Sequence, residues 1–388
     1  MLYSNLEKEL ETLSSQYSLR QLRNLKPKGK FVEFNNKLLV NTASNDYLGI
    51  GGNTGISEEF QEFLKTENFG TEYGACSSRL LTGNRPAYDI FENYLANAYS
   101  KEKALIFNSG YHANIGILPA ISDKNDLIIA DKYVHASLID GILLSKATFK
   151  RFPHNNYIQL EKILKENKDL YRNIFVVTES IFSMDGDICE LETLVSLKKK
   201  YNFYLYLDEA HSIGVCGETG LGLADLQGFT SEIDILVGTF GKAVASQGAF
   251  VVGKAVLIDY LINKMRSLIY TTGLPEINVL FSYFVFRKMK NMYSQRAKLF
   301  TISQTLRNGI IEAGSKTLGS TQIVPLIVGD NKKAVDLCSY LEKNNFLALP
   351  VRYPTVPKGS ERIRFSLSSE ISENDINILI SLLKEYKV

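Results

Sequence analysis

Residues 174–211 read IFVVTESIFSMDGDICELETLVSLKKKYNFYLYLDEAH. An apolar run, Ile174–Thr178, ends in Glu179; an amphipathic stretch, Leu191–Lys200, follows; a second apolar run, Tyr204–Leu207, ends in Asp208-Glu209-Ala210-His211. Short apolar runs separated by a helix-like segment read as buried, parallel strands of a sheet covered by helices. The same alternation extends in both directions from about residue 49. Further strands are expected at Ala104–Phe107, Leu127–Ala130, Thr148–Phe152, Ile235–Val237 and Ala249–Val252, and a further helix at Leu160–Glu166. The fold class this predicts is α/β, with a large, mostly parallel seven-stranded sheet domain over residues 49–285.

Either side of that body the pattern changes. Leu6, Leu10, Leu13 and Tyr17 share one face of an amphipathic helix. A turn at Pro27-Lys28-Gly29 and strand-like runs at Phe31–Phe34 and Leu38–Asn41 complete an N-terminal helical arm over 1–48. Beyond about residue 286, strands at Gln322–Val328, Leu347–Arg352 and Arg362–Leu367 and helices at Lys332–Lys343 and Asn374–Tyr386 predict a smaller α+β domain over 286–388. Its last helix opens on a capping box, Ser372-x-x-Asp375. The basic stretch Arg287–Lys298, RKMKNMYSQRAK, is expected to form a solvated helix face.

Composition limits the functions available. The chain has 388 residues, 45% hydrophobic and 22% charged, which excludes a disordered or fibrous protein and supplies a sizeable core. Lys+Arg 44 against Asp+Glu 42 leaves +2, so no net field draws nucleic acid or anionic lipid. Cys76, Cys189, Cys216 and Cys338 form no C-x-x-C pair and read as reduced thiols. The opening MLYSNLEKELETL lacks the basic start of a signal peptide, and no uninterrupted apolar run of about 18 residues occurs. A soluble cytoplasmic protein is expected.

Chemistry-bearing residues gather where the predicted strands end, the place open α/β sheets put their ligands. Asn108-Ser109-Gly110-Tyr111-His112 follows one strand, Asp131 and His135-Ala136-Ser137 another, Glu179 and Ser183 a third, Asp208 to His211 a fourth, and Gly238-Thr239-Phe240-Gly241-Lys242 a fifth. Asp-Glu-Ala-His also closes the Walker B segment of some helicases, but that reading needs a phosphate loop. Gly241-Lys242 is followed by Ala243, with Leu236 where the first glycine belongs, and Gly220-x-Gly222 fails at Asp225 as a dinucleotide fingerprint. His135, His154, His211 and Asp208 show no metal-ligand spacing, so no metal is expected and His154 reads as a satisfied loop histidine.

Pyridoxal phosphate uses all five strand ends. It needs a lysine to hold it as a Schiff base, a carboxylate against the ring nitrogen, and a helix start to bind its phosphate. Lys242, Asp208 and Ser109-Gly110-Tyr111 meet those needs. Asp208 as a helix cap and His135 as a core histidine satisfied by Ser137 remain open readings of the same residues.

TESIFSMDGD, LDEAHSIGVCGETGLG and GTFGKAVASQGAF, with SNDYLG at 44–49 and SRLLTGN at 78–84, resemble the α-oxoamine synthases, fold-type I pyridoxal-phosphate transferases. The similarity runs in order over essentially the whole chain. PLIVGDN at 325–331 and VRYPTVPKGSERIRFSL at 351–367 look most like the branch of biotin synthesis that condenses L-alanine with a pimeloyl thioester, on CoA or acyl carrier protein, with loss of carbon dioxide. The resemblance implies that Lys242 carries the cofactor and shuttles the substrate's Cα proton. Asp208 would pair with the ring nitrogen, His211 with the phenolic oxygen, and His135 would stack on the ring. Gly110, Tyr111, Ser183 and Thr239 would hold the cofactor and its phosphate. Arg364 would grip the amino acid carboxylate, with Arg20, Thr355 and Arg352 on the acyl side. It also implies a homodimer in which Thr272, after Tyr270-Thr271, reaches the partner's phosphate.

Two departures stand out. Cys76 and Ser77 occupy positions where relatives carry glycine or small residues, and Val244-Ala245 replaces a bulky-then-glycine pair. The first bears on the acyl entrance. Glycine-using and serine-using synthases of the same group, and a non-catalytic scaffold, are the alternatives; intact Lys242, Asp208 and His211 oppose the last.

Overall fold

The structure, a computed structural model, describes residues 1–70 and 72–386. The chain falls into two compact units: 1–53 with 184–187 and 294–388, and 54–183 with 188–293.

The first unit opens on a helix, Leu2–Ser15, none of whose residues is buried. The expected apolar face stays largely in water: Leu6 and Leu10 are exposed and Leu13 is half-buried, while Tyr17 lies past the helix end with Lys332 over its ring. Strands β1 (Lys26–Lys28), β2 (Phe31–Phe34) and β3 (Lys37–Asn41) then make an antiparallel meander. Asn35 and Asn36 close the β2–β3 hairpin with φ of 50° and 59°, the left-handed pair that a two-residue turn requires and asparagine tolerates.

All seven strands expected of the second unit form: β4 (Lys103–Phe107), β5 (Leu127–Asp131), β6 (Thr148–Phe152), β7 (Ile174–Glu179), β8 (Tyr204–Asp208), β9 (Ile235–Thr239) and β10 (Ala249–Gly253). They lie in the order β4-β10-β9-β8-β7-β5-β6. β10 alone runs against the direction of the other six strands. Every residue of β5, β7, β9 and β10 is buried, as continuous apolar runs demand of strands covered on both faces. One core cluster joins Leu105, Ile128, Val177 and Val237 of the sheet to Ile117, Leu138 and Ile258 of the helices Gly110–Ile121, Ala136–Leu144 and Ala255–Lys264. At Gly141 a Cβ would lie 2.1 Å from the Asn114 carbonyl oxygen, so glycine is what lets two of those helices touch backbone to side.

The first unit closes with β11 (Lys316–Thr317), β12 (Ile323–Ile327), β13 (Phe346–Leu347), β14 (Pro350–Val351) and β15 (Arg362–Ser366). Here the single strand expected over Leu347–Arg352 divides between two sheets. Phe346–Leu347 pairs in parallel with Val40–Asn41, whereas Pro350–Val351 pairs with Ile363 and Arg362 at the edge of the β11-β12-β15-β14 sheet. Pro350 has no N–H to give a central ladder, so an edge is where it fits. The capping box forms reciprocally: Ser372 N–H donates to Asp375 Oδ2 at 2.9 Å and Asp375 N–H to Ser372 Oγ at 3.2 Å. The basic stretch Arg287–Lys298 is not one helix face. It spans the end of Glu276–Met289 and the start of Tyr293–Glu312, and Arg296 is buried. The four cysteines are free thiols. Among the described residues no helix is long and apolar enough to cross a membrane.

Candidate active site

β5, β7, β8 and β9 are mutually parallel, and β4, antiparallel to β10, runs the same way. Their C-terminal ends therefore share one edge of the sheet. The strand order reverses between β5 and β7, which opens the crevice that such sheets use for ligands. A cavity of about 180 Å³ lies at that edge. Seven expected residues line it: Gly110, Tyr111, His135, Asp208, His211, Thr239 and Lys242. Asn114, Ser137, Glu179 and Ala210 line it as well. Ser183, buried beyond the end of β7, and Thr272, an exposed residue whose carbonyl accepts the Asn108 amide at 2.6 Å, do not.

Asp208 is placed by its donors. The last residue of β8, it accepts the Ala210 N–H on Oδ1 at 2.9 Å and the Asn114 amide on Oδ2 at 2.9 Å. No helix starts after it, so capping is not its role. Asn114 sits one turn into the Gly110 helix, accepts the buried Tyr206 hydroxyl at 2.7 Å and also donates to Ser137 Oγ at 3.0 Å. That hydroxyl in turn meets His135 Nδ1 at 2.7 Å. A single buried amide thus ties Asp208 to the support of His135. Sequence reading passed over Asn114 because its helical neighbours are mostly apolar; its signal was its place four residues after Gly110, on the same helix face.

The titratable groups of the cavity act on one another. The Glu179 carboxyl, buried at the end of β7, accepts the His135 backbone N–H. Burial holds its pKa well above the usual carboxylate range and Asp208 adds to this, while Lys242 and the His135 N–H oppose it. His135 stands at the exposed mouth. Partial desolvation lowers its imidazole pKa; Asp208 pulls the other way and Lys242 adds to the lowering. Both shifts favour neutral groups around the Asp208–Lys242 pair.

Behind Asp208, fully buried Glu209 points the other way. Its carboxylate accepts the Leu223 and Ala224 N–H groups at 3.0 and 2.8 Å and the Ser212 hydroxyl. Burial raises its pKa to about 7. At Gly222, φ is 116° and a Cβ would lie 2.8 Å from Glu209 Oε2, so only glycine permits this approach. The phosphate-side geometry is equally local: Ser109 caps the Gly110 helix by accepting the His112 N–H at 3.2 Å, leaving first-turn N–H groups for an anion. Thr239 Oγ1 accepts the Gly241 N–H at 3.2 Å, fixing the turn that carries Lys242. His154 is satisfied by Asp131 at 2.9 Å.

The other expected residues lie in the first unit. Arg364, on β15, reaches Asn45 Oδ1 from both terminal nitrogens at 3.2 and 3.3 Å. Arg20 donates to Thr355 Oγ1 at 2.8 Å. Arg352 donates to the backbone carbonyls of Tyr17 and Leu19, so its head fastens the segment that carries Arg20.

A lysine amine, a buried carboxylate, an imidazole at the mouth and a helix start converging on one cavity define a pyridoxal-type site. The chain belongs to the aminotransferase class I and II family, whose model matches residues 37–383. The 8-amino-7-oxononanoate synthase of Haemophilus ducreyi is 46% identical over 370 residues, covering 94% of this chain and 96% of that protein. Among solved structures, a serine palmitoyltransferase from S. paucimobilis with a bound PLP–myriocin aldimine superposes with a TM-score of 0.88 at 27% identity, covering 99% of this chain and 96% of that one. The 8-amino-7-oxononanoate synthase of Francisella tularensis does so with a TM-score of 0.74 at 27% identity, covering 90% of this chain and 97% of that one. The resemblance to α-oxoamine synthases therefore extends over nearly the whole chain.

Proposed function

We propose that this chain catalyses the decarboxylating condensation of L-alanine with a pimeloyl thioester, yielding 8-amino-7-oxononanoate, with pyridoxal 5'-phosphate in the Gly110–Lys242 cavity. The observation that carries the reading is the convergence of Lys242, Asp208 and His135 on that cavity in a chain 46% identical to a full-length synthase of this kind. When bound, the cofactor supplies an electron sink for the negative charge that develops at the amino acid Cα.

The protein's residues do the rest. Lys242 would hold the cofactor and would take and return the Cα proton. Asp208, held in place by two donors, would pair with the ring nitrogen. His135 would cover the ring face, and His211 would bind the phenolic oxygen. The start of the Gly110 helix and Thr239 would take the phosphate, with Tyr111 beside them on the cavity wall; Ser183, outside that wall, would act only through its loop. Arg364, aligned by Asn45, takes the alanine carboxylate. Arg20, steadied by Thr355, is assigned to the distal carboxylate of the pimeloyl group. Burying that carboxylate unpaired would be costly. Arg352 positions Arg20. The working form is a cytoplasmic homodimer, with Thr272 directed at the partner's phosphate site.

The serine palmitoyltransferase likeness raises a long-chain, serine-using alternative. It rests on 27% identity, and the Haemophilus ducreyi likeness outweighs it. The test is a matrix of alanine, glycine and serine against pimeloyl-CoA, pimeloyl-acyl carrier protein, acetyl-CoA and palmitoyl-CoA, scored by product mass. Alanine with a pimeloyl donor should give the dominant product; a faster reaction with any other pair overturns the assignment.

A further inference from the structure

A second cavity, of about 470 Å³, opens at the opposite edge of the large sheet, under the first residues of β7, β8 and β9. These strands are five or six residues long, so at about 3.3 Å per residue the two cavities lie some 15 Å apart. Its volume falls within the range of small-molecule sites. The wall is apolar and aromatic. Phe175 and Tyr204 stack with centroids 5.3 Å apart, and Val256 and Tyr260 face them from the helix Ala255–Lys264. Tyr204, Val256 and Tyr260 are exposed at 47%, 73% and 47%, a concentration of apolar surface at the mouth of the cavity.

The charges at this cavity do not balance. Asp234 is committed to Lys198 at 2.6 Å and to the Leu205 N–H at 2.7 Å. The Lys101 ammonium has no carboxylate within ion-pair distance among the described residues. It donates to the carbonyls of Ile233 at 2.7 Å and Ser231 at 3.3 Å, which leaves one N–H unused. Lys254, at the start of the 255–264 helix, has neither a hydrogen bond nor an ion pair through its side chain among the described residues. Burial lowers the Lys101 pKa and Lys198 and Lys254 add to this, while Asp234 and Glu232 oppose it; a further anion alongside would relieve what remains.

We propose that this cavity binds a medium-chain alkyl or aryl monocarboxylate, its carboxylate at Lys101 and Lys254 and its apolar body against Phe175, Tyr204, Val256 and Tyr260. Charge-assisted bonds fix the head, and burial of ring and chain surface drives association.

The chain has no tryptophan, so Tyr260→Trp places a sole indole on the cavity wall. The cofactor-loaded variant is titrated with octanoate and with 3-phenylpropionate, and in parallel with octanol and octylamine. Saturable emission change with either acid in the millimolar range or below supports the site, and which acid binds tells alkyl from aryl chemistry. Lys254→Gln in the same background should weaken binding about tenfold or more, the usual cost of a charge-assisted bond. Val256→Arg, a change at an exposed position, should block the mouth and abolish it. Ligand-observed NMR on the unsubstituted protein repeats the comparison without the indole. Absence of saturation by both methods, equal response to octanol or octylamine, or indifference to Lys254→Gln or Val256→Arg would overturn the proposal.

Discussion

Asn114→Ala is the most informative single change, because three buried groups depend on one amide. Asn114 is 2% exposed and Tyr206 is wholly buried. Truncation leaves the Tyr206 hydroxyl without its acceptor, a cost of about 1–3 kcal/mol. It also strips Asp208 of one of two donors and Ser137 of another. Because Asn114 lines the cavity, water can reach part of the gap, so the total should be about 2–4 kcal/mol rather than the full sum. Tyr206→Phe should cost about 1 kcal/mol, since it removes the donor and leaves only a carbonyl oxygen unpaired. In the double variant there is no orphaned hydroxyl, so the two losses should fall short of additivity by about 1–2 kcal/mol. Equilibrium urea unfolding of the cofactor-free protein measures the cycle. Cofactor affinity adds a second axis: Asn114→Ala should weaken it about tenfold through Asp208, and Tyr206→Phe should barely change it. Strict additivity, or equal loss of affinity in both variants, would refute the view that Asn114 links the buried tyrosine to Asp208.

Arg20→Ala should raise KM for the pimeloyl thioester about tenfold or more while sparing an uncharged acyl thioester of equal length; Arg352→Ala, acting on the segment rather than the carboxylate, should raise both. Glu209 titrates near pH 7 when folded against 4.5 when free, so the native state keeps a proton that the unfolded chain has lost. Stability should therefore fall as pH rises from about 4.5 to about 7, and Glu209→Gln should flatten that part of the profile in pH-dependent urea unfolding. Sedimentation should return a dimer at working concentrations, and a fully active monomer would contradict the assignment of Thr272.

The large sheet was legible because its strands are short apolar runs that stop at a polar residue. Asp208 and Lys242 could be found for the same reason, Asp208 ending the Tyr204–Leu207 run and Lys242 closing the Gly-Thr-Phe-Gly turn after Ile235–Val237. Asn114 could not, since a polar residue inside a helix announces no partner until the fold brings Tyr206 and Asp208 to it. Nor could the division of 347–352 between two sheets, because the choice of β3 for Phe346–Leu347 is a pairing over some three hundred residues of sequence. Pro350 was the local warning. The bonds of Arg352 to the Tyr17 and Leu19 carbonyls are long-range and carry no sequence signature either.

On the proposed reading, Lys242 carries pyridoxal 5'-phosphate at the edge where β5, β7, β8 and β9 end. Borohydride reduction of the yellow purified protein, followed by peptide mass mapping, tests it most directly. A pyridoxyl mass on the peptide containing Lys242, absent from a folded Lys242→Ala variant, is the predicted result. Recovery of the label on another lysine, or a colourless protein that takes up no cofactor, would contradict it.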